Sequence, residues 1–187
     1  SVEDFRAVFR ADVLSVLERD RPQVVGVSAL FNSSFHYIED LVKTVKEFDS
    51  NILTIGGGGL PSAAFQLMLE RCPHLDAICK GEGERPLLEL LEADDAQALI
   101  AQHPAWIDRD GLARGKTPAH DFVSDLDLIP PMNYGCIDLD HYNSRGIDKR
   151  YTDIPKREMA IHTSRGCPFM CVFCSNPSLH GRTVRFM

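Results

Sequence analysis

The sequence predicts an α/β fold organised around a doubly wound parallel sheet. Three short apolar segments, at residues 24–29, 51–55 and 75–79, do not alternate between apolar and polar side chains, which is typical of strands buried on both faces. A helical pattern follows each segment after a short connection, and this alternation implies parallel strands joined by right-handed crossovers. Only three strands are recognisable, whereas a sheet of this kind has roughly five.

Four helices complete the alternating pattern. The first covers residues 3–19, has apolar residues at helical spacing and is stopped by Pro22. The third follows four consecutive glycines, and Pro61 suits its first turn. The second and fourth have apolar stripes, formed by Ile38, Leu41, Val42 and Val45 and by Leu87, Leu88, Leu90 and Leu91. Because no strand precedes the first helix, we expect the first strands of the sheet to lie outside this chain.

The pattern changes in the second half of the chain. Residues 106–112 are interpreted as a small hairpin, because Asp110-Gly111 is a common two-residue turn. Residues 117–158 are rich in Asp, Pro, Tyr and Asn and are predicted to form an extended connector that wraps a neighbouring surface. Residues 159–163 are predicted to be one more strand. The sequence therefore predicts a sheet domain over residues 1–96, a hairpin and connector over 97–158, and the start of another domain over 159–187.

Composition and charge argue against several classes of protein. The 187 residues include 20 lysines and arginines and 27 aspartates and glutamates, a net charge of −7, which argues against a nucleic-acid-binding surface. No apolar run approaches the roughly 18 residues that span a bilayer, and charged residues interrupt the start where a signal peptide would be apolar. We therefore expect no membrane association. Six cysteines are too few for a disulfide scaffold, so the sequence favours the reducing cytoplasm and metal-binding cysteines.

Three cysteines form the most informative motif. Cys167, Cys171 and Cys174 have the spacing C-x3-C-x2-C, so each thiolate could hold one iron of a four-iron cluster and leave the fourth iron open. A zinc site is the alternative, with His180 as the fourth ligand. Zinc ligands usually occur as two separated pairs, which favours iron and sulfur here. The other cysteines, Cys72, Cys79 and Cys136, lack such spacing and are predicted to be buried or incidental thiols.

The segment from Thr163 to Ser175 resembles the signature of the radical S-adenosylmethionine (radical SAM) enzymes. The resemblance implies a 4Fe-4S cluster whose open iron chelates S-adenosylmethionine, which is then cleaved to a 5′-deoxyadenosyl radical. It also implies that Phe173 lies near the adenine, that residues 159–187 begin a (β/α) barrel with its first strand and cluster loop, and that a flavodoxin or ferredoxin supplies electrons.

Three loops with unusual composition follow the predicted strands. They begin at Ser28, at Gly56 and at Lys80. Ligands of open α/β sheets bind at the carboxyl ends of the strands, where glycine lets a ligand approach the backbone. None of the loops has the lysine and hydroxyl residue of a P-loop, and none has the G-x-G-x-x-G pattern. A plain structural turn is an equally good interpretation of any one loop.

Together with the cysteines, the loops resemble those of cobalamin-binding domains. Ser28-x-Leu30 and Gly57-Gly58 match the S-x-L and G-G elements, and Gly81 to Glu84 matches a G-E-G-E turn. The family's D-x-H-x-x-G motif would precede this chain, so its lower cobalt ligand stays open. The resemblance, over residues 22–93 and 125–187, is to the N-terminal part of a cobalamin-binding radical SAM enzyme, and it implies cobalamin contacts at Ser28, Leu30, Gly56, Gly57, Gly58, Gly81 and Glu82.

Three functions remain open from the sequence. The first is a cobalamin-dependent methyltransferase that acts on a small molecule or natural product. The second is a related radical enzyme whose sheet domain no longer binds cobalamin, and the third is a non-catalytic zinc module. We expect the barrel to be truncated at residue 187 and this chain alone to be inactive.

Overall fold

The computed structural model describes residues 2–131, 133–138 and 161–187. In the sheet region its helices are α1 (Val2–Asp20), α2 (Phe35–Phe48), α3 (Gly59–Arg71), α4 (Glu84–Glu92), α5 (Ala96–Gln102) and α6 (Arg109–Ala113). Its strands there are β1 (Val24–Ser28), β2 (Leu53–Gly57), β3 (Ala77–Cys79) and β4 (Trp106–Asp108).

The four strands form one sheet in the order β1-β2-β3-β4. Strands β1, β2 and β3 are parallel, with Ser28 opposite Gly57 and Ile55 opposite Ala77. Strand β4 is antiparallel to β3 and places Trp106 opposite Cys79. The predicted α/β fold with a Rossmann-like parallel sheet is confirmed, and an antiparallel edge strand is added to it.

Helices cover both faces of the sheet. On one face, α2 and α3 bury a core that includes Val42, Met68 and Ile78. On the other, α4 and α5 pack over β2, β3 and β4 around Trp106 and Ile100. Each of these fully buried apolar side chains stabilises the fold by about 1.5–3 kcal/mol. Helix α1 packs on α2 and closes a smaller core around Leu17.

The face that α4 and α5 cover is left partly open over β1. Residues Gly26 and Ser28 of β1 are exposed, and Gly57 of β2 is half-buried. Leu87 and Leu91 of α4 are also exposed at this side. This part of the sheet, which carries only glycines and a serine, is therefore separated by a gap from the apolar side chains of α4.

The hairpin predicted over residues 106–112 is wrong. Strand β4 is followed directly by α6, and the Asp110-Gly111 pair lies inside that helix. The side chain of Asp108 caps the helix, since its Oδ1 accepts a hydrogen bond from the Gly111 N–H at 2.6 Å. This capping bond stabilises a helical turn where the dipeptide alone favours a hairpin.

Residues 161–187, here called the C-terminal segment, form a small antiparallel pair and a short helix. Strand β5 (Ser164–Arg165) pairs with β6 (Arg185–Phe186), and α7 (Asn176–His180) lies between them. The strand predicted over 159–163 is wrong for 161–163, where no strand forms, and residues 159 and 160 lie outside the described residues. The predicted barrel is not visible in the part of the chain that the structure describes.

The connector is described up to residue 138, apart from residue 132, and the rest of it lies outside the described residues. Its first part runs along the sheet domain and the C-terminal segment, as Asp121 pairs with Arg85 and His120 Nε2 lies 2.8 Å from the Ser178 carbonyl oxygen. Among the described residues, no helix combines the length and apolar content that crossing a membrane requires.

Candidate cofactor-binding site

The three loops predicted from the sequence lie side by side at the carboxyl edge of the sheet. The Ala29 N–H donates to the Gly57 carbonyl oxygen at 3.1 Å, and the Leu60 N–H donates to the Ala29 carbonyl oxygen at 3.0 Å, so the first two loops are bonded together. The Gly81 N–H donates to Ser62 Oγ at 2.9 Å and ties the third loop to α3. The parallel topology has brought all three loops to one place, as expected.

These loops open onto a cavity of about 730 Å³. Six of the seven predicted cobalamin contacts line it: Ser28, Gly56, Gly57, Gly58, Gly81 and Glu82. The seventh, Leu30, is exposed outside the cavity, against Gly59. The C-terminal segment supplies the opposite wall, from His162, Arg165, Leu179 and His180. The cavity is thus shared between the sheet domain and the C-terminal segment, although Cys167, Cys171 and Cys174 are not among the residues that line it.

Gly57 and Gly58 differ in what a side chain would meet. A Cβ at Gly57 would have no atom within 4 Å, so it would point into the open cavity. Gly58 has φ +89°, and its Cβ would lie 2.8 Å from both the Ala29 carbonyl oxygen and Ser28 Oγ. The turn therefore requires glycine at position 58, whereas glycine at position 57 leaves space in the cavity for a ligand.

The cavity suits a large, mostly apolar ligand that lies directly against the backbone of the sheet. Its floor is formed by Gly26, Ser28 and Gly57, and Leu87 and Leu91 line its side. A side chain at Gly57 would occupy this space, and Ser28 offers a hydroxyl group there. These residues fit the nucleotide tail of a cobalamin, which needs both a slot and a polar contact.

The cysteine loop begins with a tightly constrained turn. Gly166 has φ +94°, and a Cβ there would lie 2.0 Å from the Thr183 carbonyl oxygen, so the position requires glycine. The Cys167 N–H donates to the Gly181 carbonyl oxygen at 3.3 Å, and the Cys174 N–H donates to the Cys171 carbonyl oxygen at 3.1 Å. The loop is thereby held at its start and folded back at its end.

The cysteine side chains and their apolar neighbours face outward. Cys167 is half-buried, and Cys171 and Cys174 are exposed. Phe173 is 90% exposed, so it is not a core residue, and Phe169, Met170 and Val172 are exposed around it. The cysteines are therefore accessible to a cluster, and the exposed ring of Phe173 lies between Cys171 and Cys174 in the sequence.

The geometry of a single-ion site is not present at these cysteines. Among the described residues, no three of the side chains of Cys167, Cys171, Cys174 and His180 bring their ligand atoms within 4.8 Å of one another. In addition, His180 Nδ1 lies 2.9 Å from Glu82 Oε1. A zinc ion requires all its ligands around one point, whereas a four-iron cluster takes one cysteine on each of three separate irons.

Glu82 was predicted as a cofactor contact, and the structure also gives it charged partners. It is 4% exposed, and its carboxylate accepts hydrogen bonds from Arg185 and His180 and forms an ion pair with Arg165. Burial tends to raise the pKa of this carboxyl, but the bonds from Arg185 and His180 and the charge of Arg165 hold the pKa below its ordinary value. No pattern in the sequence predicts this cluster, because Glu82 lies 83 to 103 residues from its three partners.

A second charged cluster joins α4, the end of α5 and the connector. His103 Nε2 lies 3.2 Å from Glu89 and 3.4 Å from Asp121, and Arg85 also pairs with Asp121. His103 Nδ1 accepts a hydrogen bond from the Ala105 N–H at 3.1 Å. A neutral ring would therefore carry its proton on Nε2 and donate it toward the carboxylates, which makes these side chains a network of hydrogen bonds and ion pairs.

The remaining cysteines are not built as metal ligands. Cys72 and Cys79 are buried, and burial raises the pKa of Cys72 to about 11 and that of Cys79 to about 12. Both thiols are protonated at neutral pH, and a thiolate is the form that binds metal. Cys136 is exposed on the connector.

The fold and the cavity together define an α/β ligand-binding domain, and comparison with known proteins shows what this domain is similar to. The family model described as the B12 binding domain matches residues 2–91. Residues 2–91, just under half of the chain, are therefore similar to B12-binding domains, and the predicted resemblance to the N-terminal part of a cobalamin-binding radical SAM enzyme is confirmed.

Three relatives illustrate the similarity. An uncharacterized methyltransferase of Pyrococcus horikoshii is 27% identical over 94% of this chain and 36% of its own length. An anaerobic magnesium-protoporphyrin IX monomethyl ester cyclase of Rubrivivax gelatinosus is 31% identical over 83% of this chain and 27% of its own length. A hopanoid C-3 methylase of Methylococcus capsulatus is 30% identical over 98% of this chain and 34% of its own length. The chain thus spans well under half the length of these relatives.

Proposed function

We propose that this chain is the cobalamin-binding and cluster-binding part of a radical SAM methyltransferase. The observation that carries the proposal is the shared cavity. The B12-binding loops, with Ser28 and Gly57, form one wall, and His162 and Arg165, just before the cysteine loop, lie on the other. Two cofactor sites would therefore lie next to each other and could serve one substrate.

Residues of the sheet domain would hold the cobalamin. Gly26 and Gly57 leave a slot against the sheet, Ser28 provides a hydroxyl group and Leu87 covers the slot from α4. When bound, cobalamin would supply a methyl group that can be transferred. The apolar walls would keep water away from the bound nucleotide tail.

Residues of the C-terminal segment would hold the other cofactors. Cys167, Cys171 and Cys174 would each ligate one iron of a 4Fe-4S cluster, whose open iron would bind S-adenosylmethionine and supply an electron to it. Phe173 would cover the adenine, which is supported by its exposure beside two ligands. The C-x3-C-x2-C spacing supports a cluster over the zinc alternative, because zinc ligands usually occur as two separated pairs.

The wider setting follows from the same proposal. The substrate would be a small molecule or natural product, and a flavodoxin or ferredoxin would deliver the electrons in the cytoplasm. Two of the three relatives described above are named as a methyltransferase and a methylase, and one as a cyclase, which supports carbon-bond chemistry and favours methyl transfer. We expect this chain alone to be inactive, because it covers only part of such an enzyme.

The full-length protein tests the proposal directly. It should be purified without oxygen, reconstituted with iron and sulfide, and titrated with cobalamin. The expected result is an iron–sulfur absorbance together with one bound cobalamin. A protein that takes up zinc and no iron would contradict the radical enzyme. A protein that forms its cluster but leaves cobalamin free would contradict the cobalamin assignment and favour a sheet domain that has lost its ligand.

A further inference from the structure

One buried carboxylate receives cationic side chains from both ends of the C-terminal segment. Glu82 Oε2 accepts a hydrogen bond from Arg185 Nη1 at 3.0 Å and lies 3.2 Å from Arg165 Nη1. Its Oε1 lies 2.9 Å from His180 Nδ1 and also accepts a hydrogen bond from Arg185 Nη2. The partners lie 83 to 103 residues further along the chain. Glu82 thus joins the third loop of the sheet to the segment that carries the cysteines.

The two arginines sit at the base of the cysteine loop. Arg165 and Arg185 are opposite each other in the β5–β6 pair, and Arg165 comes two residues before Cys167. Arg185 Nη1 also donates to the Val123 carbonyl oxygen at 2.6 Å, and its guanidinium lies over the Phe122 ring at 4.6 Å. Glu82 therefore fixes both strands that lead into and out of the loop, and the connector packs on the same arginine.

The geometry of these bonds fixes the orientation of Arg185 relative to the Glu82 carboxylate. Arg185 bridges both oxygens of Glu82, and paired bonds of this kind fix the angle as well as the distance between two groups. Because the carboxylate is buried, water cannot easily replace it if it is removed. The orientation of β5 and β6 relative to the cavity depends on this one residue more than on the exposed pairs around it.

We propose that Glu82 is a positioning residue, which holds the cysteine loop in the orientation that brings a bound cluster to the cavity. This inference rests on the proposed function, in which the loop carries the cluster. It assigns to Glu82 a role that acts through Arg165 and Arg185 and involves no direct contact with the reacting atoms.

Glu84 provides a matched control. It lies two residues away and forms an ion pair with the same Arg165, from Oε1 to Nη2 at 2.6 Å. Its side chain is 35% exposed, whereas that of Glu82 is 2% exposed. A Glu84→Gln variant therefore removes one carboxylate from the same loop without opening the buried cluster.

The experiment compares full-length wild type, Glu82→Gln and Glu84→Gln. Amide hydrogen exchange needs no cofactor, and it should become at least about tenfold faster over residues 163–187 in Glu82→Gln, with β1 and β2 unchanged. In the reconstituted protein, iron content should stay the same. The concentration of S-adenosylmethionine that half-converts the electron paramagnetic resonance (EPR) signal of the reduced cluster should rise at least about tenfold. Glu84→Gln should stay within about twofold of wild type in both measurements.

Several results would overturn the inference. Wild-type exchange and wild-type S-adenosylmethionine titration in Glu82→Gln would remove any positioning role. Faster exchange throughout β1 and β2 as well would show general destabilisation instead. If Glu82→Gln does not fold, Arg185→Lys keeps the positive charge but cannot bridge both oxygens, and a normal EPR titration in that variant would refute the inference. A wild-type protein that forms no cluster would contradict the proposed function, while hydrogen exchange would still decide the role of Glu82.

Discussion

At the scale of single residues, Gly57 and Gly58 separate binding from folding. A Cβ at Gly57 meets no atom within 4 Å, while one at Gly58 meets backbone and Ser28 at 2.8 Å in a left-handed conformation. The first glycine provides space for a ligand, and the second makes the turn that forms that space. The two positions can therefore be tested against each other.

Gly57→Val should abolish cobalamin binding while leaving the fold and the cluster intact. The added side chain fills the slot, so the dissociation constant measured by titration should rise at least about 100-fold. The thermal unfolding midpoint should move by no more than about 2 °C, because a Cβ at this position meets no protein atom within 4 Å. Gly58→Ala is the contrast, because its positive φ with extended ψ is a conformation essentially restricted to glycine, and the free energy of unfolding should fall by about 1–3 kcal/mol. Undiminished cobalamin binding by Gly57→Val would refute this assignment of the loop.

Cys167→Ala, Cys171→Ala and Cys174→Ala should each remove most of the bound iron. Each cysteine is expected to hold a different iron, so the loss of one thiolate leaves an incomplete set of ligands. Iron content and visible absorbance after anaerobic reconstitution measure the effect. Cys136→Ala is the control, because that thiol is exposed on the connector and should not affect the iron. A triple alanine variant with full iron content would contradict the site.

Phe173→Ala should weaken the binding of S-adenosylmethionine about tenfold with no loss of iron. The ring is 90% exposed, so its removal leaves no cavity in the core and the stability should be unchanged. Val172→Ala is a matched control in the same loop, since its side chain is also fully exposed. The comparison requires the full-length enzyme and a binding titration, and equal affinity for wild type and Phe173→Ala would count against a contact with the adenine.

At the scale of secondary structure elements, Asp108 determines the conformation after β4. Its Oδ1 accepts the Gly111 N–H and starts α6. Asp108→Ala should therefore lower the free energy of unfolding by about 1 kcal/mol, which denaturant titration can measure. Asp110→Ala, in the first turn of the same helix, is the control and should have a smaller effect. Equal effects of the two substitutions would show that the cap is not the cause.

The elements that the sequence predicted well are those defined by local burial. Strand β2 is buried along most of its length, and the apolar stripe of α2 is buried at Ile38, Val42 and Val45, so the pattern of side chains is enough to find both. Strand β1 and α4 were found from similar patterns, but β1 is only partly buried, and Leu90 is the one residue of the predicted α4 stripe that is buried. The hairpin at residues 106–112 failed because one side-chain cap outweighed a turn preference. Strand β5 was misplaced because it is only two residues long and is defined by pairing with β6.

At the scale of the whole molecule, the cavity was predictable and the charge clusters were not. Parallel strands bring their carboxyl ends together whatever their sequence, so Ser28, Gly57 and Gly81 could be placed at one edge in advance. Glu82 and Arg185 meet only because the chain returns over the sheet after about a hundred residues. No periodicity or spacing within the sequence signals such a contact.

The cluster around His103 gives the whole molecule a specific dependence on pH. Burial lowers the pKa of His103, Glu89 opposes that shift, and Arg85 and Lys116 add to it, so the pKa in the folded protein lies below the ordinary value of 6.5. Below about pH 6.5 the unfolded chain therefore takes up a proton that the folded protein does not bind, and stability falls as the pH decreases.

His103→Asn keeps an acceptor for the Ala105 N–H and does not titrate. In the His103→Asn variant, the urea concentration at the unfolding midpoint should therefore decrease less between about pH 7 and pH 5.5 than it does in wild type. The carboxyls with lowered pKa, such as Glu82, act in the same direction but at lower pH, and they are present both in wild type and in His103→Asn. A His103→Asn protein with the same pH dependence as wild type would show that the ring does not stay neutral in the folded state.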